Sequence, residues 1–348
     1  MSKHGWTYKK FEDCLKKFKT PSKIKSSEYY RSGLYPVISQ EQEYISGYNN
    51  SAEKIFHHDK PVVVFGDHSR VVKYVDFDFI VGADGVKILL VRDELNPRFF
   101  YYYIKWIDVQ SLGYSRHYKV LKENYIPVPP MGEQEAIVAE LDKINSAIDE
   151  LKLQVADLGT LAQATFYDMF GDPVANPKAW PVKKLGEVCF LKAGKNIKAS
   201  ELSQKPSEGL YPCYGGNGIR GYIAKKSHEG CFPIIGRQGA LCGNVVLATG
   251  SFYATEHAVV CQPLEELNTI FLFFALKEMN LNQYAKGVAQ PGLAVSSITP
   301  LFLPIPPMPL QQEFAARVKA IEEAKAELKA QMADMQALLA SRMQYWFD

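Results

Sequence analysis

The sequence has 348 residues, of which 47% are hydrophobic and 22% charged, and its formal net charge is +2. This composition is ordinary for a globular protein with enough residues for two cores, and it excludes a disordered or fibrous chain. No apolar run reaches the ~18 residues that a transmembrane helix needs, and the N-terminal residues do not have the pattern of a signal peptide, so we expect a cytoplasmic protein.

The first part of the chain is predicted to fold into a β-rich module that ends near residue 132. Short runs of β-branched and aromatic residues, separated by Gly, Asp and His, predict strands. These strands are Val62 to Phe65, Val71 to Val75, Phe79 to Val81 and Val86 to Val91. A helix is predicted from Pro97 to Ile107, and the helical spacing of its aromatic residues favours a core role over a stacking surface. The adjacent His57 and His58 are expected to be solvated.

A long helix is predicted from about Glu133 to Phe170, because prolines precede it and Gly171 and Pro173 follow it. Apolar residues recur in this helix at alternating steps of four and three, which is typical of a coiled-coil seam. The seam residues are Ile137, Leu141, Ile144, Ile148, Leu151, Val155 and Leu158. A helix roughly 50 Å long, at about 1.5 Å per residue, needs a partner of similar length.

The second half of the sequence repeats the first at an offset between 170 and 178 residues. A Trp-x-x-Lys-Lys sequence begins at Trp6 and again at Trp180, and a Pro-x-Pro-Pro-Met sequence begins at Pro127 and again at Pro304. Such a period indicates that one structural unit has been duplicated. The second module is therefore predicted over residues 173–310, with strands at Pro233 to Ile235, Asn244 to Ala248 and Ala258 to Cys261 and a helix from Asn268 to Met279.

A second long helix is predicted over residues 311–348. The first seam continues through Ala162 and Thr165, and adding 177 to each of its positions gives a second heptad seam. Its apolar members are Phe314, Val318, Ile321, Leu328, Met332, Met335 and Leu339, and its polar members are Lys325 and Arg342. Two matching helices in one chain predict an intramolecular coiled coil, and the alternative is that each helix packs on a separate core.

Charge separates the modules from the helices. Residues 1–132 and residues 173–310 each carry a net charge of +5, whereas residues 133–172 carry −7 and residues 311–348 carry −1. Two basic modules beside an acidic or neutral rod suit a polyanion bound at two places, and the alternative is ordinary scatter of charge. The six cysteines include no CxxC pair, so we expect buried free thiols and no metal site.

Polar residues gather in the predicted loops between strands, where they could contact base edges or phosphates. Arg can bond guanine, Gln and Asn can bond adenine, and glycine lets the backbone approach a phosphate. The alternative is that these segments are ordinary turns. The candidates for DNA contact are Lys23, Lys25, Gln40, Gln42, His68, Arg70, Arg116, His117, Lys119, Asn217, Arg220, Lys225, Lys226, Arg237, Gln238, Lys286 and Gln290.

Catalytic motifs are missing from the sequence. The two Pro-Pro-Met sequences lack the polar residue and the aromatic residue of a nucleic-acid amino-methyltransferase loop. The sequence also has no P-loop, no GxSxG and no HExxH. We therefore expect no catalytic residues in this chain.

Over essentially its full length, the sequence resembles the specificity subunits of type I restriction-modification systems. The resemblance rests on an ordered set of motifs that occurs twice, each time before a long helix. The set comprises the Trp-x-x-Lys-Lys opening, the segments Tyr214 to Tyr222 and Gly236 to Ala240, the segment Thr255 to Ala258 with its counterpart Gly82 to Val86, and the Pro-Pro-Met sequences followed by Glu-Gln-Glu or Gln-Gln-Glu.

The resemblance implies an α+β fold with an internal pseudo-twofold repeat. Residues 1–132 and 173–310 would be two β-rich mixed α/β target recognition domains, each reading one half of a split, asymmetric DNA sequence. Residues 133–172 would be a central conserved helix and residues 311–348 a distal conserved helix. These two helices would form an antiparallel coiled coil whose length sets the unread spacer.

The resemblance also implies partners and cofactors. The chain would bind double-stranded DNA and no cofactor of its own. Two methyltransferase subunits would bind S-adenosylmethionine and methylate adenine, and restriction subunits would use ATP and Mg to cleave DNA. Two alternatives stay open: a related subunit of a methylation-only or other restriction system, and a coiled-coil scaffold that does not bind DNA.

Overall fold

The computed structural model describes residues 5–19, 21–107, 109, 113, 115–239, 241–264, 267–287 and 291–348. The chain divides into two compact units. Unit 1 comprises Met1–Lys152 and Ala330–Asp348, and unit 2 comprises Leu153–Lys329. Each unit combines strands and helices, which confirms the α+β fold class. Within the described ranges, no helix is both long enough and apolar enough to cross a membrane.

Module 1, in unit 1, contains three antiparallel or mixed sheets. A two-stranded sheet pairs Thr7–Lys10 with Tyr125–Val128. A three-stranded antiparallel sheet has the order Val72–Val75, Val62–Gly66, Val86–Leu89. A five-stranded mixed sheet has the order Lys23–Ile24, Phe79–Gly82, Tyr35–Ile38, Gly47–Asn49, with Ile55–Phe56 also paired to Phe79–Gly82. Among the described residues of the module, the α-helices are Pro97–Ile107 and Tyr118–Leu121.

The helix Pro97–Ile107 carries the core of unit 1. Its residues Phe99, Phe100, Tyr102 and Tyr103 are buried, so the prediction that these aromatic residues belong to the core is confirmed. They pack with apolar residues of both long helices. Phe347, at the end of the second long helix, contacts the Phe99 ring edge-on at 5.6 Å. Aromatic packing of this kind explains why three separate parts of the sequence form one unit.

Module 2, in unit 2, is built on one larger sheet. A two-stranded sheet pairs Val182–Lys184 with Phe302–Pro304. The six-stranded sheet has the order Cys189–Ala193, Ala258–Pro263, His228–Gly236, Val245–Ala254, Tyr211–Gly215, Gly218–Ile223. The helices of the module are Leu185–Val188, Thr269–Glu278 and Val295–Ile298. In the core, Phe166 and Phe170 of the first long helix pack with Phe271 and with Phe314 of the second.

The two long helices are Met131–Phe170 and Met308–Phe347, each of 40 residues. In unit 1, the beginning of the first helix packs with the end of the second, as an antiparallel pair requires. All the predicted apolar seam residues are buried or half-buried. The polar seam residues are satisfied, because Lys325 forms an ion pair with Glu322 and Arg342 bonds to Glu140. Their assignment to coiled-coil layers stays a prediction.

The structure corrects two local interpretations. The segment Tyr214 to Arg220, expected to be a loop, is a hairpin in which Tyr211–Gly215 pairs with Gly218–Ile223. His58 is not solvated, because it stacks on Phe56 and its Nε2 bonds to the carbonyl of Phe77 at 2.9 Å. All six cysteines are free thiols and five are buried, as expected, while Cys231 is half-buried.

Candidate nucleic-acid interface

Several strand ends in module 1 surround a polar cleft of about 500 Å³. Lys23 begins the strand Lys23–Ile24, and Asp67 and His68 follow the strand Val62–Gly66. The cleft is lined by Lys23, Gln40, Asp67, His68, Asp84, Gly85, Lys87 and Arg116, and we call this set the module 1 cleft. Its walls therefore come from segments that lie up to 93 residues apart in the sequence.

Gln40 holds two walls of the module 1 cleft together. Its Oε1 accepts a hydrogen bond from the backbone N–H of His68 at 3.1 Å, and its Nε2 donates to the carbonyl of Asp84 at 2.9 Å. Gly85 has a φ of +89°, and a Cβ at this position would lie 2.6 Å from the Gln40 Oε1. Glycine is therefore required beside Gln40. Because both ends of the amide are bonded internally, Gln40 shapes the cleft.

Asp67 and two lysines set the charge of the module 1 cleft. The Asp67 side chain is buried, and its Oδ1 accepts a hydrogen bond from the backbone N–H of Tyr118 at 2.9 Å. The Lys87 Nζ lies 3.8 Å from the other carboxylate oxygen. Burial, together with the positive charge of Lys87, lowers the pKa of Lys23. The cleft lining as a whole carries three cations, Lys23, Lys87 and Arg116, against the two carboxylates of Asp67 and Asp84, and this small positive excess favours an anionic ligand.

Four of the predicted contact residues of module 1 line this cleft: Lys23, Gln40, His68 and Arg116. His117 does not, because it is only 1% exposed and its Nδ1 bonds to the carbonyl of Asp67 at 3.0 Å. This corrects the prediction that His117 is a candidate for DNA contact, because its buried side chain instead bonds to the backbone of the turn at Asp67.

The remaining candidates of module 1 lie elsewhere. Arg70 has a φ of 62°, and its Nη1 donates to the carbonyl of Val109 at 2.9 Å beside a separate cavity. Lys25, Gln42 and Lys119 are exposed but do not line the module 1 cleft. The cleft also contains four residues that were not predicted as contact residues: Asp67, Asp84, Gly85 and Lys87. Asp67 precedes the predicted contact residue His68, and Asp84 lies in the repeated segment Gly82 to Val86, but Lys87 sits between apolar residues of a strand, where no local pattern marks it.

In module 2, a hairpin turn and two strand ends meet at the equivalent place. A Cβ on Gly236 would lie 1.8 Å from the carbonyl oxygen of Gly216, so the two backbones touch. Asn217, in the turn, accepts a hydrogen bond from Asn244 Nδ2 at 2.9 Å. Gln238 and Lys286 each form a β-bridge with Gly292. We call Gly216, Asn217, Arg237, Gln238, Glu256 and His257 the module 2 site.

Arg237 organises the module 2 site through its backbone and its side chain. Its N–H donates to the carbonyl of His257 at 2.9 Å. Its Nε donates to the carbonyl of Leu293 at 3.3 Å, and its Nη1 donates to the carbonyl of Glu256 at 3.2 Å. The guanidinium therefore joins two segments that are distant in sequence. This arrangement gives Arg237 a supporting role that the sequence did not predict.

Glu256 and His257 belong to the repeated segment Thr255 to Ala258 and are not among the predicted contact residues. The His257 Nε2 lies 3.0 Å from Glu256 Oε1, and both side chains are about one-third exposed. The Glu256 Oε2 and the His257 Nδ1 have no hydrogen-bond partner among the described residues. Because these two unpartnered atoms are themselves buried, they present no free acceptor or donor at the surface of the module 2 site.

The other candidates of module 2 are not gathered at this site. Lys225 and Lys226 form ion pairs with Glu201 at 2.7 Å and with Glu229 at 2.5 Å. They precede the strand His228–Gly236, whose nine residues span roughly 30 Å, whereas Arg237 follows it. Arg220 is exposed on its strand beside Gly215. Gln290 lies outside the described residues.

A family model described as "Type I restriction modification DNA specificity domain" matches residues 3–156 and again residues 177–334. The two matches reproduce the repeat that the sequence predicted.

Curated relatives carry names of the same kind. The EcoprrI specificity subunit of Escherichia coli is 42% identical over 195 residues, which cover 55% of this chain and 48% of that protein. The EcoR124I/EcoR124II specificity subunit of Escherichia coli is 27% identical over 192 residues, which cover 50% of this chain and 46% of that protein. The chain spans about half the length of these curated relatives.

Solved structures resemble the fold along almost the whole chain. An S subunit of a type I restriction-modification system from M. genitalium matches with a TM-score of 0.61 and 17% identity, covering 99% of this chain and 96% of that one. A chain from a study of complex assembly in a type I R-M system matches with a TM-score of 0.54 and 16% identity, covering 99% of this chain and 97% of that one. At 17% and 16% identity, the similarity to these two structures shows a shared fold.

Proposed function

We propose, because the chain belongs to the family of type I restriction-modification DNA specificity proteins, that each of its modules binds one half of a split DNA sequence. The observation that carries the proposal is the duplication. The family match occurs twice, and each module places polar residues at matching strand ends. Because the module 1 cleft and the module 2 site contain different side chains, they would read different half-sites, and the target would be asymmetric.

The same proposal assigns the chemistry to partner proteins. Two methyltransferase subunits carrying S-adenosylmethionine would methylate adenine, and restriction subunits would cleave with ATP and Mg. This chain would bind double-stranded DNA without catalytic residues or a cofactor of its own. The names of the curated relatives, which are specificity subunits, support this division of labour.

A methylation map tests the proposal. The chain is expressed with its cognate methyltransferase subunit in a host free of DNA methylation, and modified adenines are located by single-molecule sequencing. The methyltransferase subunit expressed alone is the control. We expect a bipartite, asymmetric motif with a fixed gap only when both are present. A complex that assembles and leaves the genome unmethylated would contradict the proposal and favour a scaffold that does not bind DNA.

A further inference from the structure

A second cavity in module 1 adjoins the module 1 cleft. It has a volume of about 850 Å³ and shares Lys23 and Lys87 with the cleft. Its charged lining residues are Glu12, Asp13, Lys16, Lys17, Lys23, Lys87 and Arg92, and we call it the basic groove. Since the same two lysines line both cavities, the basic groove and the module 1 cleft form one continuous surface.

The charge of the basic groove is positive, with five cations and two carboxylates in its lining. One carboxylate, Glu12, is held by Lys122 at 2.5 Å, and one cation, Lys16, is held by Asp93 at 2.7 Å; both partners lie outside the groove. Among the described residues, Lys17 and Arg92 form no ion pair, and both are exposed. The positive charges of these two side chains are therefore uncompensated by a neighbouring carboxylate, which is the electrostatic condition for holding an anion.

The form of the basic groove suits an extended ligand. Cations line both of the connected cavities, and a nucleic-acid strand carries a phosphate at every nucleotide, so several phosphates could be neutralised together. Between the cations the wall is apolar, with Leu15, Phe18 and Ile88, and such a surface can pack against sugars. We propose that the basic groove binds the sugar-phosphate backbone of the DNA that leads into the half-site read by module 1. This inference rests on the proposed function.

Module 2 has an apolar residue at the ladder position that Lys87 occupies in module 1. In module 1, Lys87 pairs with Phe65 on the neighbouring strand. In module 2, the corresponding pair is Val259 with Ile235, and Val259 is buried. An apolar residue therefore stands where module 1 has one of its two shared lysines. The backbone contact would strengthen binding at one half-site only.

The salt dependence of DNA binding tests this inference. The groove variant is Lys17→Ala/Arg92→Ala, prepared in complex with the methyltransferase subunit. The matched control complex contains Arg317→Ala/Lys329→Ala, which removes two exposed cations from the second long helix. Fluorescence anisotropy measures affinity for a labelled duplex at several salt concentrations. Each lost phosphate contact lowers the slope of log K against log salt by about 0.9, so we expect a decrease of about two for the groove variant and none for the control.

Three outcomes separate the inference from the proposed function. A groove variant whose slope equals that of the control would overturn the inference while leaving a bipartite methylation motif intact. A changed half-site in the methylation map of the groove variant would also overturn it, because Lys17 or Arg92 would then read bases. If the wild-type complex binds with no preference for any bipartite site, the proposed function fails. In that case the difference in salt-dependence slope between wild type and groove variant, measured on a random duplex, still decides whether the groove binds the DNA backbone.

Discussion

Gln134 accepts a hydrogen bond from the backbone N–H of Asn96 at 2.8 Å, and so joins the start of the first long helix to the start of the helix Pro97–Ile107. Its Nε2 donates to the carbonyls of Glu94 and Pro129, each at 2.8 Å. Gln311 repeats the bond to Asn268 at 2.8 Å in unit 2. Both glutamines are fully buried. Both copies of the repeat therefore use the same buried glutamine hydrogen bond to join a module to its long helix.

Replacing Gln134 by Leu should destabilise the protein. The backbone N–H of Asn96 and the carbonyl of Pro129 would lose their partner in a buried place, at a cost of about 1–3 kcal/mol. The midpoint of urea unfolding measures this loss. Gln336→Leu, at an exposed position of the second long helix, is the control. Equal midpoints for the two variants would show that the buried amide contributes nothing to stability.

Glu140 should make the stability of unit 1 depend on acid pH. Its hydrogen bond from Arg342, together with one from Trp346 Nε1 at 3.0 Å, lowers its pKa below the ordinary value of 4.5 although burial opposes the shift. A carboxyl whose pKa is lowered by folding stabilises the folded state fully above its unfolded pKa, and this contribution is lost as the pH falls through its folded pKa.

The difference in urea midpoint between the wild type and Glu140→Gln, followed from about pH 6 to about pH 3, isolates this contribution from other carboxylates. We expect the wild type to lose its advantage as the pH falls below 4.5. A difference that stays constant over this range would mean that Glu140 titrates alike in the folded and unfolded chains.

Single substitutions at the two sites should change separate halves of the methylation motif. Arg116 lines the module 1 cleft and is exposed, and Gln238 is exposed at the module 2 site. We expect Arg116→Ala to relax one half-site and Gln238→Ala to relax the other, by about 1–3 kcal/mol of discrimination for each lost base contact. The control is Arg317→Ala, on the second long helix. Methylation maps of the three variants show which half of the motif is relaxed. A loss of methylation that is equal over all sequences would show that the side chain contacts phosphate and not a base.

Lengthening the helices should lengthen the gap in the motif. Four residues inserted after Asp149, with four more after Ala333, would add about 6 Å to each helix at exposed positions. Since the rise of DNA is about 3.4 Å per base pair, we expect the gap to grow by one to two base pairs with both half-sites unchanged. An altered half-site with the original gap would contradict the idea that the helices set the spacing.

The sequence alone determined the repeat, the two long helices and their apolar faces. These features rest on periodicities within single elements, and a side chain such as Phe314 is buried because its place in the heptad turns it inward. Local signals also predicted the helix Pro97–Ile107, since the aromatic residues repeat at helical spacing. The internal repeat strengthened each of these predictions, because the same residue pattern occurs in both halves of the sequence.

The tertiary structure alone decided which polar residues share a surface. Lys87 enters the module 1 cleft because its strand pairs with Val62–Gly66 in one particular register, and nothing in its own segment marks it. His117 and Arg237 look like surface donors in the sequence, yet strand ends far away in the chain supply the carbonyls that bind them. Periodicity reports how one element faces the core, whereas a site is formed by contacts between elements, and these depend on register and chain topology.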